Sequence, residues 1–139
     1  MTDTKTVYLC GGINKLSDAE CKDWREETKL LLGPEFETLD PMRRDYRGRE
    51  GDFSAEIVRH DQTDIAMSDI ILVRAEKPSW GTAMEMVYAK LLGKFVVVFG
   101  AGDKPSPWIV FHSNKMFPNL NEAISWINAY LAHAKKFAV

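Results

Sequence analysis

Two hydrophobic rhythms alternate along the chain. Short apolar runs at residues 6–10 (TVYLC), 69–73 (DIILV) and 95–99 (FVVVF) are each bounded by glycine or polar residues, the pattern of buried strands. Residues 36–40 (FETLD) form a weaker strand ended by Pro41, and a short strand at 108–111 (WIVF) would make a fifth. Between them the apolar period lengthens to that of a helix. Cys21, Trp24, Thr28 and Leu31 share one face behind Ser17 and Glu20, which are spaced as a capping box, and Gly33-Pro34 stops the run. A second helix, capped by Asp52 or Ser54 and reaching about Met67, would bury Ile57, Val58 and Ile65. A third opens at Gly81 (GTAMEMVYAKLL) and closes at Gly93, and a fourth near 121–134 carries Ile124, Trp126, Ile127 and Leu131 on its apolar face. Strands alternating with helices require a parallel sheet covered on both sides. The expected fold is therefore a single-domain α/β protein over residues 1–139, a doubly wound five-stranded parallel sheet of flavodoxin or Rossmann-like kind. Neither an internal repeat nor a linker interrupts it.

Composition and charge narrow the partners. Eighteen Lys+Arg against twenty Asp+Glu leave a net charge of -2, which supplies no field for gripping a phosphate backbone, so no nucleic-acid polymer is expected. The opening MTDTKT lacks a signal pattern, and the run at 95–99 is far too short to span a bilayer; a cytoplasmic protein without a membrane partner is expected. Cys10 and Cys21 have no CxxC or Cys/His spacing, which fits a reducing compartment. His60, His112 and His133 are widely separated, and neither a metal nor a cofactor is expected.

The candidate chemistry lies at one end of the sheet. Ligands of open parallel sheets sit beyond the carboxyl ends of the strands where strand order reverses. That rule brings together the loops at 10–15, 41–53 and 74–81. Glu85, in the first turn of an otherwise apolar helix, would stand at their rim, with the helix dipole favouring a low-pKa ionised form suited to a nucleophile. Asp61 lies one helical turn from both Ile57 and Ile65 and so falls on an apolar stripe, unless the helix turns it and Asp64 to solvent. Alternation along the first strand puts Tyr8 and Cys10 on one face and Val7 and Leu9 on the other. The loop DPMRRDYRGRE (40–50) offers Arg43, Arg44, Arg47 and Arg49, whose guanidinium forks suit phosphate or carbonyl oxygens.

Taken together, YLCGGI (8–13), HDQTDIAMSDIILV (60–73) and SWGTAMEMVYA (79–89) resemble the nucleoside 2-deoxyribosyltransferase superfamily and, within it, the nucleoside 5'-monophosphate N-glycosidase branch. The resemblance spans about 7–99. It implies an enzyme of nucleotide metabolism that cleaves the bond between a nucleobase and C1' of its sugar. By the same resemblance Glu85 is the nucleophile, Asp61 binds the sugar or assists proton transfer to the departing base, and Tyr8 orients Glu85 or the sugar. It also implies a phosphate grip shared by Ser79 and the loop amides of Gly11, Gly12 and Ile13, where the transferring branch carries an aspartate in place of Ser79. Asn14, Arg43, Arg44 and Gly81 complete the expected substrate contacts. Asn14 and Lys15 depart from the glycine- and arginine-rich loop of that branch. The superfamily further implies a small-molecule nucleotide or nucleoside substrate and a homo-oligomer, dimer or higher, with shared active sites, to which Ser106, His112, Ser113 and Asn114 are candidates to contribute. Base exchange between nucleosides and a non-catalytic nucleotide-binding module are the alternatives.

Overall fold

The computed structural model describes residues 4–137, with side chains as far as Tyr130. Its elements run β1 (Lys5–Cys10), α1 (Asp18–Leu31), β2 (Phe36–Leu39), α2 (Ser54–Met67), β3 (Ile70–Arg74), α3 (Trp80–Leu91), β4 (Phe95–Phe99), α4 (Pro107–His112), β5 (Lys115–Phe117) and α5 (Leu120–Phe137). All strand pairings are parallel, in the order β2-β1-β3-β4-β5. The chain thus leaves β1 toward one edge and resumes from β3 toward the other, which puts the reversal between β1 and β3.

The alternation read in β1 sorts the core. Val7 and Leu9 join Trp24 of α1 and Ala123 and Ile127 of α5 on one face. Tyr8 and Cys10 join Ile65 of α2 and Met86 and Ala89 of α3 on the other. Each buried aliphatic side chain contributes roughly 1.5–3 kcal/mol, so sliding β1 by one residue would forfeit several such terms at once. The capping box closes as expected: Ser17 Oγ accepts from Glu20 N at 3.2 Å and Ser17 N donates to Glu20 Oε1 at 3.3 Å.

Several expectations change. Residues 108–111 are helical, because Ser106 Oγ accepts from Trp108 N and Pro107 fixes the first turn; the fifth strand is Lys115–Phe117 instead. Neither Asp52 nor Ser54 caps α2, whose N-cap is Phe53 with no side-chain bond. Val58 is 51% exposed, and Leu31 is also exposed, since the inward faces of their helices center on Ile65 and on Trp24. The side chain of Leu131 lies outside the described residues. No helix among the described residues is long and apolar enough to cross a membrane.

Candidate active site

Loops from three strands and two helices enclose a cleft of about 400 Å³ over the β1/β3 reversal. Gly11, Ile13, Asn14 and Lys15 line it after β1, and Pro41, Arg44, Tyr46, Arg47 and Glu50 line it after β2. Pro78, Ser79, Trp80, Gly81, Thr82 and Glu85 come from the start of α3, and Ile57 and Asp61 from α2. The expected convergence of three loops is what the fold builds.

Glu85 is half-buried at the base of this cleft. Tyr8 Oη donates to its Oε2, while Oε1 lies beside Gly81, where an added Cβ would come to 3.9 Å from it. A side chain at Gly81 would therefore stand over the free oxygen. Because α3 begins at Trp80 behind the Ser79 cap, Glu85 is one turn deeper than the first turn, which holds no acidic residue. The helix dipole, which acts within the first turn, therefore does not hold its pKa low as expected. Burial first, and then the like charge of Asp61, push the Glu85 carboxyl up to about 8 against the bonding of Tyr8 and the charge of Arg25. Burial likewise raises Asp61 to about 6, opposed by Arg44. The Tyr8 phenol is held well above its ordinary value by burial and by Glu85, so at neutral pH it acts as a donor.

Asp64, not Asp61, is the buried acid of α2. It accepts from Arg43 at 2.8 Å and from Arg44 at 2.6 Å, and Arg44 Nη2 also stands 3.6 Å from Asp61 Oδ1. This double anchor folds the arginine-rich loop against α2. Arg44 keeps its place in the cleft, whereas Arg43 is outside it and also donates to the Asp40 carbonyl. Arg47 lines the cleft but is held by Asp18 and Asp45 at 2.6 and 2.8 Å, and Arg49 lies over Tyr46 and Phe53.

Ser79 Oγ accepts from Thr82 N at 3.0 Å and donates to Thr82 Oγ1 at 2.8 Å, so its hydroxyl caps α3 at the lip of the cleft. Gly12, expected among the substrate contacts, is instead buried behind the lip and does not line the cleft: a Cβ there would meet Leu16 Cδ1 at 3.0 Å, the Lys77 carbonyl at 3.5 Å and Ser79 Cβ at 3.6 Å. Lys15 holds φ 63 in the loop after β1, a left-handed conformation uncommon outside glycine. Ser113 closes α4, donating to Val110 O, and does not line the cleft. Among the described residues no group of three or more His, Cys, Asp or Glu is placed to hold a metal.

Tyr46, Ile57, Trp80 and Thr82 also line the cleft, and Arg25 lies against the Leu9 and Gly11 carbonyls behind it, none of them a site residue expected from the sequence. Trp80 at 85% exposure is an aromatic at a helix start, a signal that was available. Arg25 carried none, since a lone arginine in an amphipathic helix reads as solvated.

No family model matches the chain, and no curated protein matches its sequence. Solved structures do. A 2-deoxyribosyltransferase from Bacillus psychrosaccharolyticus superposes with TM-score 0.68 at 18% identity, covering 86% of this chain and 90% of that one. The fold is that of the deoxyribosyltransferases. A 2-deoxyribosyltransferase from Leishmania mexicana gives 0.65 at 19% identity, over 89% and 97% of the two chains. A CMP N-glycosidase from Clostridium botulinum gives 0.58 at 20%, over 89% and 99%.

Proposed function

We propose that this protein hydrolyses the N-glycosidic bond of a nucleoside 5'-monophosphate, with Glu85 as nucleophile. The observation that carries the reading is the Tyr8–Glu85 hydrogen bond at the base of a cleft that also holds Asp61, over the strand-order reversal. The phenol binds Oε2 and leaves Oε1 to attack C1' as the C1'–N bond breaks and its electron pair departs with the base. A carboxylate at that position stabilises the oxocarbenium-like transition state and then captures the sugar as an ester. Water resolves the ester and regenerates Glu85.

The departing base needs a proton. With carboxyls at about 8 and about 6, the Glu85 and Asp61 pair holds one proton between those values. Near neutral pH these values put the proton on Glu85 and the charge on Asp61; the form that reacts is its minor counterpart, in which the proton has moved to Asp61, leaving Glu85 anionic for C1' and Asp61 with a proton for the base.

The preference for a monophosphate rests on the lip of the cleft. Ser79 starts α3, a helix whose unpaired first amides attract anions at the lip of the cleft. Gly11, Ile13, Asn14 and Lys15 edge the same space, and Arg44 is placed to meet the base or sugar near Asp61. A homo-oligomer accords with the surface of α3, where Trp80, Met84, Val87 and Leu91 form an exposed apolar stripe beginning at the cleft.

Base exchange between nucleosides is the second reading, favoured by the higher TM-scores of the two deoxyribosyltransferases. The test is chromatography of products from nucleosides and their 5'-monophosphates, with and without a second free base. Hydrolysis that prefers the monophosphate supports the proposal. Preference for free nucleosides, with exchange outpacing hydrolysis, makes the protein a transferase.

A further inference from the structure

Arg25 is fully buried in α1, a helix otherwise solvated on its outer side, and no substrate-lining role accounts for it. Its guanidinium is spent on backbone. Nε donates to Leu9 O at 3.2 Å, Nη2 to Gly11 O at 3.1 Å and Nη1 to Cys21 O at 2.6 Å. Leu9 and Gly11 bracket Cys10 at the carboxyl end of β1, two residues from Tyr8 and at the glycine loop that floors the cleft. Trp24 closes the arrangement, with Arg25 4.7 Å from its ring centroid and its Cζ2 only 2.8 Å from where a Cβ at Gly11 would lie. Among the described residues the one carboxylate within reach is Asp40, at 3.6 Å from Nε, and Asp40 is shared with Lys29 at 2.7 Å. A buried arginine is costly, and a leucine or methionine would fill the same space without that cost.

We propose that Arg25 is a positioning residue for the Tyr8–Glu85 pair, clamping the carboxyl end of β1 and the glycine loop from below while placing a positive charge under the cleft. The inference rests on the proposed role of Glu85. The clamp fixes where Tyr8 presents its hydroxyl, because Tyr8 and the Leu9 carbonyl belong to consecutive residues of one extended strand. The charge acts in the opposite sense to the acids around Glu85. Tyr8 and Cys10 face Glu85 from β1 and are neutral while it titrates, Tyr8 favouring the ionised form through its hydrogen bond; Asp61 and Asp64 of α2 disfavour that form, and Arg44 acts chiefly on Asp61 and Asp64. Arg25 is the cation that favours the ionised form of Glu85. Without it the nucleophile would hold its proton further into the alkaline range.

The test is a direct titration of the Glu85 carboxyl carbon by NMR in the intact protein, alongside the pH profile of base release. Arg25→Met should raise the Glu85 midpoint by about one pH unit, the size expected for loss of a nearby opposite charge. Arg25→Lys, which keeps the charge and cannot hold three carbonyls, should leave the midpoint near wild type while raising KM through the loosened glycine loop. A folded Arg25→Met protein with an unchanged or lowered midpoint overturns the proposal. Where Arg25→Met does not fold, Asp40→Asn takes its place, since it keeps the oxygen that caps Met42 N and removes the charge offsetting Arg25. The midpoint must then fall, and an unchanged midpoint overturns the proposal equally. The NMR titration reads Glu85 whether or not base is released, so failure of this inference is distinguishable from failure of the glycosidase reading.

Discussion

At the residue scale the account turns on a carboxylate held where ionising it is costly. Glu85 rises from an ordinary 4.5 to about 8, so the folded protein binds a proton there that the unfolded chain has already lost. Stability from this group is complete below about pH 4.5 and is lost as pH rises through 8. Glu85→Gln keeps an acceptor for Tyr8 and removes the ionisation. It should match wild type in thermal stability at pH 4 and exceed it at pH 8 by about 1–2 kcal/mol, a gain discounted for the open cleft and read by calorimetry. Asp61 supplies the second limb. In wild type, kcat/KM should be bell-shaped between about 6 and about 8. Asp61→Asn should cut turnover by about 10²–10⁴ and, by removing the like charge, lower the Glu85 midpoint and abolish the alkaline fall. Unchanged turnover would leave Asp61 a mere surface acid. Glu85, Asp61 and Tyr8 were legible because a carboxylate or phenol on an apolar stripe needs a reason. The sign of the Glu85 shift was not, since it depends on burial and on Asp61 across the cleft, and sequence holds neither distance nor solvent access.

At the element scale the start of α3 does two jobs, capping a helix and edging the cleft. Aspartate caps a helix as well as serine does, so Ser79→Asp should leave stability near wild type. The added anion should nevertheless weaken kcat/KM for a 5'-monophosphate by about ten- to a hundredfold and leave the matching nucleoside little changed. Equal losses on both substrates would return Ser79 to a purely capping role. The run of α3 was readable, though not its start at Trp80 behind the Ser79 cap, and so was the alternation in β1, because each rests on contacts within a few residues. The fifth strand was not. Residues 108–111 are apolar enough for either period, and Ser106-Pro107 decides for a helix, leaving Lys115–Phe117 to complete the sheet beside β4. The arginine-rich loop was legible as a cluster of cations but not in its wiring. Asp64 takes Arg43 and Arg44 together, which only the packing of that loop on α2 reveals.

At the scale of the whole molecule, strand order places the site. The reversal between β1 and β3 opens the crevice, and the three loops found by reading the sequence meet there. Among the described residues nothing covers the stripe Trp80, Met84, Val87 and Leu91, of which Trp80 and Leu91 are 85% and 80% exposed. Sedimentation should show a dimer or larger assembly, and Leu91→Glu should drive it toward monomer; a wild-type monomer at high concentration would refute the shared-site arrangement. The central claim is that Glu85 breaks the bond between base and sugar. Its most direct measurement is chromatographic detection of free base from a panel of nucleoside 5'-monophosphates incubated with wild type and with Glu85→Gln. The account requires release by wild type and none above background from a folded Glu85→Gln protein. Release at similar rates by both proteins, or by neither on any member of the panel, would contradict it.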